Sequence, residues 1–197
     1  MSTYHHGDLR SAVLVAAAKM LEKEGLAGLS VRAAARRAGV SHNAPYRHFP
    51  DRDALLAALA AEGFRQLADA LEGKTGRELG EAYVRFALER PQRFRLMFGG
   101  QLTIAKHPAL RDVALKTFAG LSGALAARVG DAPGARDASI AAWALVHGLA
   151  QLLLGDRIAA AARQGRAEEQ FIRDVLGSTR FAAGMPSQPA AGAAQPA

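Results

Sequence analysis

Residues 38–55 read AGVSHNAPYRHFPDRDAL, and the side chains gathered there suit the reading of a polyanion. Asn43 can pair bidentately with an adenine edge, and His42 can donate or accept there. Both stand at the start of a short helical segment that Ser41 can cap. Tyr46, Arg47, His48 and Arg52 carry hydroxyl, imidazole and guanidinium donors for positioning a nucleic-acid backbone. Ser30 and Arg32, at the start of the preceding helix, are placed to touch phosphate as well. Charge agrees with this chemistry. Residues 30–52 hold Arg32, Arg36, Arg37, Arg47 and Arg52 against Asp51, a net of +4. Residues 1–29 balance at zero, and the other 145 residues supply only +3 of the total +7. Clustered arginines also occur on ordinary solvated faces, so Arg36 and Arg37 are either phosphate contacts or solvent-facing charges.

The elements that must position these groups are helices. The 197-residue chain is rich in alanine and leucine, is poor in aromatics and lacks β-branched runs. Asp8 is a good N-cap for a first helix running to about Lys23, with Leu9, Val13, Ala16, Ala17, Met20 and Leu21 as its apolar stripe. Gly25 ends it, and Ser30 caps a short second helix. Ala35, Gly39 and Val40 then carry the signal of a helix-turn-helix: a small residue at the crossing, a glycine for the left-handed turn, and an apolar anchor. The helix beyond the turn can leave at a steep angle and enter a major groove about 12 Å wide.

Pro45 is awkward in that position, because proline inside a helix costs about 3 kcal/mol or more. With Ser41 or Asn43 as N-cap, Pro45 is no deeper than the fourth helical position, where it forfeits at most one backbone bond. Ala44 before it is pushed toward extended geometry. Phe49 is expected to seat this segment in the core. Asp51 caps a fourth helix to about Leu71, which acts as connector to the second half.

Further helices are expected at 77–90, 91–98, 108–129, 135–154 and 166–176. The helix at 135–154 is apolar nearly all round and should be buried on most sides. Ile140, Trp143, His147 and Gln151 form one row on it. Two readings stay open: a packed core with one satisfied histidine, or a pocket wall of aromatic and convergent polar groups. In the second, Phe86, Phe94, Met97, Phe98, Trp143, His147 and Gln151 bind a small, largely apolar molecule. Phe171, Ile172, Val175 and Leu176 are candidates for contact with a second copy.

Several classes are disfavoured. The chain has no cysteine, so disulfides, thiolate catalysis and cysteine-based zinc sites are absent together. No H-E-x-x-H, P-loop or dinucleotide fingerprint occurs, and the six histidines are scattered or terminal. An enzyme is not expected, nor a metal or cofactor. The first ten residues lack the apolar stretch of a signal peptide, and no uninterrupted apolar run reaches membrane-span length. A cytoplasmic protein without a membrane partner is expected.

The run SVRAAARRAGVSHNAPYRHFPDRDALL, preceded by YHHGDLR, resembles the DNA-binding domain of TetR-type transcriptional regulators. The match lies in the capped helix, A-G-V-S, Tyr46, His48-Phe49, the charged turn and the leucine-rich helix after it. Pro45 departs from the leucine or similar apolar residue more usual there. The W-x-x-x-H-G run at Trp143 is similar to a subgroup of such proteins. The resemblance implies an all-α fold with a DNA-binding domain at 5–67, its helix-turn-helix at about 30–49. A helical ligand-binding and dimerisation domain at 75–182 would follow; by composition, without charge and with three prolines, 183–197 reads as a disordered tail. The resemblance supports backbone contact by Tyr46 and His48. It also implies a homodimer on palindromic double-stranded DNA, a small-molecule effector, and repression as the usual mode. His5 and His6 are either an arm toward DNA or a frayed terminus.

Overall fold

The computed structural model describes residues 6–129 and 135–178, and all regular structure among them is helical. The order is α1 (His6–Glu24), α2 (Val31–Arg37), a 3₁₀ turn (Ala44–Arg47), α3 (Arg52–Leu71), α4 (Gly76–Glu89) and α5 (Pro91–Phe98). A second 3₁₀ turn (Ile104–Lys106) precedes α6 (Pro108–Val129), α7 (Ala135–Leu154), α8 (Ala160–Arg163) and α9 (Glu168–Ser178). His5 and the stretch 183–197 lie outside the described residues. The first helix starts two residues before Asp8, at His6.

Local chemistry sets the helix ends of the N-terminal unit. The Ser30 hydroxyl oxygen accepts from the Ala33 amide at 3.1 Å, and an Asp51 carboxylate oxygen accepts from the Ala54 amide at 2.7 Å. Gly39 adopts φ +70° after α2. Its amide donates to the Arg36 carbonyl at 3.2 Å, and the Val40 amide reaches back to Ala35 at 3.1 Å. That paired closure needs a left-handed residue, which glycine supplies without a Cβ clash.

Where a short recognition α-helix was expected, the chain makes one 3₁₀ turn, with Asn43 at its cap and Pro45 in its first positions. Proline has no amide to bond back toward Ser41, so a regular α-helix cannot be extended through it. Its carbonyl compensates by accepting from both the His48 and Phe49 amides at 2.9 Å. Ala44 is the first residue of this turn rather than extended. Phe49 is buried, together with Val13, Ala17, Leu21, Val31, Ala34, Leu55 and Leu59, in the core under the turn.

The 20 residues of α3 span about 30 Å at 1.5 Å per residue and carry the core from the N-terminal unit into the second half. Leu55, Leu56, Leu59, Phe64, Leu67 and Leu71 all belong to one continuous buried cluster, along which α3 packs on α1, α4, α5 and α6. Gly63 allows α5 to come close, since a Cβ there would lie 2.6 Å from the Met97 sulfur.

Two expectations about burial are corrected. α7 is buried along one stripe only, Val146, Leu149, Ala150 and Leu153, which packs toward α4 and α6. Ile140 (47 % exposed) and Leu152 (44 %) face outward, because no described residue covers that side. Conversely, Phe171, Ile172 and Leu176 of α9 are buried within the chain, where α9 packs on α4. They are therefore spent on intramolecular packing rather than left for a second copy.

Candidate DNA-reading surface and effector site

The 3₁₀ turn and the start of α2 present their polar groups outward. His42, Asn43, Arg47 and Arg32 are exposed, and Tyr46 is 44 % exposed, which is unusual for so large a ring. Asn43 makes no capping bond with its side chain, so both amide groups face solvent. His48 is half-buried with its ring edge-on to Phe49, 6.4 Å between centroids. Ser30 spends its oxygen on the α2 cap and keeps its hydrogen as a donor. Of the two arginines left open, Arg37 pairs with Glu24 at 2.6 Å, whereas Arg36 points to solvent.

Arg52 has a task that the sequence did not disclose. Its Nε donates to the Leu29 carbonyl at 2.9 Å, and an Nη donates to the Leu26 carbonyl at 2.8 Å. The guanidinium thus ties the α1–α2 connection to the start of α3, beneath the presented face. Arg10 was also missed: its guanidinium lies 5.5 Å from the centre of the Phe49 ring and adds a cation near the turn.

The second cluster is built from α4, α5, α6 and α7. Trp143 Nε1 donates to the Tyr83 oxygen at 3.2 Å, and the Tyr83 hydroxyl lies 2.9 Å from His147 Nδ1. Tyr83 is only 1 % exposed, so its single hydrogen needs a partner. With the Trp143 N–H already filling an acceptor position, that hydrogen goes to Nδ1, and the imidazole carries its own proton on Nε2. Gln151 Nε2 stands 3.4 Å from His147 Nε2, at the far edge of the ring. Burial holds His147 below the usual imidazole range and pushes the Tyr83 phenol well above its own. The polar line is therefore uncharged at neutral pH.

Rings pack around it. His147 lies 5.4 Å from Phe94, 4.8 Å from Phe98 and 5.6 Å from Trp143, centre to centre. Trp143 meets Phe118 at 5.2 Å, and Phe98 meets Phe64 of the connector α3 at 5.3 Å. A continuous chain of rings thus joins α6 and α7 to the helix that enters the N-terminal unit. Of the residues expected to bind a ligand, Phe94, Phe98, Trp143, His147 and Gln151 are brought together. Met97 packs against α3 at Gly63. Phe86 is buried under the Arg90 guanidinium at 5.2 Å and takes no part in this chain of rings among the described residues. Tyr83, Phe64 and Phe118 were missed. Tyr83 was findable, as the hydroxyl-bearing ring on the apolar stripe Leu79, Tyr83, Phe86 of α4; a buried tyrosine needs a polar partner. A surface groove of about 300 Å³ between α4 and α9 lies elsewhere; its Glu81 and Glu168 are paired with Arg77 and Arg163.

A helix-turn-helix unit with a cationic face, joined by one long helix to a helical domain with an aromatic centre, defines a DNA-binding regulator. The comparisons agree. Residues 13–59 match the family model of bacterial regulatory proteins of the tetR family, and residues 77–175 match that of the tetracyclin repressor-like C-terminal domain. The chain belongs to the TetR family of transcriptional regulators, DNA-binding proteins without an enzymatic role.

It is 32% identical over 93 residues to the HTH-type transcriptional regulator YobS of Bacillus subtilis (strain 168), 43% of this chain and 49% of that protein. The match thus spans about half of the relative's length. A solved protein from Rhodococcus sp. RHA1 is 33% identical with a TM-score of 0.73, covering 90% of this chain and 96% of that one. The multidrug binding protein EbrR, crystallised with imidazole, is 28% identical with a TM-score of 0.57, covering 91% and 97%. EbrR has also been crystallised with ethidium. By length and composition, residues 136–154 of α7 would pass as a membrane span; the window lies within the C-terminal domain match.

Proposed function

We propose that the protein is a cytosolic, homodimeric repressor that leaves a palindromic operator when a small, largely apolar molecule enters the ring cluster. The observation that carries this reading is the neutral line Trp143–Tyr83–His147 inside a cage of Phe94, Phe98 and Phe118. Such a cage binds apolar surface and offers few, directed polar groups. Its Phe98 touches Phe64 on α3, so a molecule that displaces Phe98 displaces the connector. EbrR, of similar fold, is described with bound small molecules. The uncovered face of α7, with Ile140 and Leu152, supports pairing of two copies, and a two-fold protein presents its turns to two half-sites.

His42 and Asn43 would read base edges. Tyr46, Arg47, His48, Arg32 and Ser30 would position the backbone. Repression is relieved if the molecule prefers the DNA-free arrangement by about 1–3 kcal/mol, a 5- to 150-fold effect. Trp143 is the only tryptophan, so its fluorescence isolates the cluster. A metabolite panel should contain molecules that change this emission and release DNA over the same concentration range. His147→Leu should bind DNA normally and respond weakly. If every releasing molecule left the emission unchanged and His147→Leu responded like the wild type, the effector site would lie elsewhere.

A further inference from the structure

The two halves also meet at a charged clasp distinct from the ring cluster. Glu22, near the end of α1, places its carboxylate at the start of α5: Oε2 accepts from the Gln92 amide at 3.2 Å and Oε1 from the Arg93 amide at 3.1 Å. A helix of the DNA-reading unit thus caps a helix of the effector domain. Beside it, the Arg93 side chain is 7 % exposed, and one Nη donates to Gln66 Oε1 of α3 at 2.8 Å. Gln66 is held in turn by Glu62 at 3.1 Å. Arg93 Nε has no hydrogen-bond partner; Glu22 Oε1 stands 3.8 Å away. A buried guanidinium donor left open is costly, and it marks an arrangement with an alternative within reach.

Resting on the effector reading above, we propose that Glu22 is the positioning residue that couples the ring cluster to the DNA-reading unit, by exchanging its hold between the α5 amides and the Arg93 guanidinium. A charge-assisted bond needs about 2.7–2.9 Å, so the gap of 3.8 Å between Nε and the carboxylate must close by roughly 1 Å. The next residue after Arg93 is Phe94, whose ring packs on His147 and Tyr83, and Phe98 lies one turn further. Movement of those rings therefore moves the amides that Glu22 caps. α1 follows, and with it Arg10 and Phe49 beneath the 3₁₀ turn. Gln66 keeps the guanidinium on α3 in both arrangements.

Coupling is reciprocal, so DNA itself is a sufficient probe. A duplex selected by the wild-type protein from a random-sequence pool is titrated into the full-length protein while Trp143 emission is followed. The wild type should change emission on saturation. Glu22→Gln, which removes the charge, and Arg93→Lys, which removes Nε–H, should bind the duplex within about 3-fold of wild type yet lose at least half of the emission change. Glu24→Gln, which breaks only the exposed pair with Arg37, should keep the full response. A full response in both clasp variants would overturn the clasp and leave the effector reading standing. A wild-type emission indifferent to DNA would remove coupling through the cluster altogether. Loss of DNA binding in both variants would also overturn the proposal, because Glu22 and Arg93 would then be part of the DNA-reading fold rather than a link to it.

Discussion

Tyr83→Phe isolates the polar line with almost no change in packing. The ring is retained, so its edge-on contact with Phe94, 5.8 Å between centroids, survives. Two bonds are lost, Trp143 to Tyr83 at 3.2 Å and Tyr83 to His147 at 2.9 Å. Two partners are left open, Trp143 Nε1–H and His147 Nδ1. A buried group without its partner costs about 1–3 kcal/mol. Trp143 and His147 are both half-buried, so water recovers part of that. A net loss of about 2 kcal/mol is reasonable, which at roughly 2–4 °C per kcal/mol for a protein of this size lowers Tm by about 4–8 °C. Thermal unfolding followed by circular dichroism at two protein concentrations separates this loss from any change in self-association. Trp143 emission should shift as well, since its indole N–H loses its acceptor. A drop below about 1 °C with unchanged emission would mean that the hydroxyl makes no consequential bond, and the uncharged line would not exist as described.

Arg52→Ala should destabilise the fold by about 1.5–3 kcal/mol through the two carbonyl bonds to Leu26 and Leu29, and lysine should not rescue it, having no fork. If the salt dependence of DNA binding by a folded Arg52→Ala protein fell by about one unit of slope, the residue would be a phosphate contact instead. Tyr46→Phe should weaken binding about equally on all sequences, whereas Asn43→Ala should relax one position per half-site at about 1–3 kcal/mol; binding-site selection on each variant tells the two roles apart. His147 is held below its usual pKa by burial, so the unfolded chain takes up its proton first as pH falls. Its contribution should be intact above about pH 6.5 and fade below it, and His147→Leu should flatten that part of the Tm-against-pH curve.

The helices were legible because their ends are written in single residues. Ser30 and Asp51 cap as their types predict, Gly39 closes α2, and Pro91 and Pro108 open α5 and α6. The recognition segment was half legible. Pro45 signalled trouble with an α-helix but not its outcome, a single 3₁₀ turn closed onto the proline's own carbonyl. Periodicity failed for α7 and α9 in opposite directions. A helix apolar all round can be buried in one chain or shared between two, and hydropathy does not distinguish them. The row Trp143–His147–Gln151 was visible because it lies on one helix at four-residue spacing. Tyr83 lies 60 residues earlier in the chain, and spacing carries no information about contact between separate helices.

The same limit explains why the bonds made by Arg52, Glu22 and Arg93 were not foreseen, and it has a physical consequence. All three bond between elements: Arg52 to the loop before α2, Glu22 to the amides of α5, Arg93 to α3. Charged side chains that serve distant backbone groups look, in sequence, like any solvated charge. Yet a carboxylate on two amides or a guanidinium on two carbonyls resists relative movement of rigid helices, while the rings beside them transmit it. In this chain α5 carries both kinds of contact within eight residues, Arg93 on the clasp and Phe94 and Phe98 in the cluster. Under the clasp proposed above, a short helix held at one end and packed on rings along its length would pass a change at either end to the other. If that clasp holds, the energetic link between effector and DNA runs through α5 as well as through the connector.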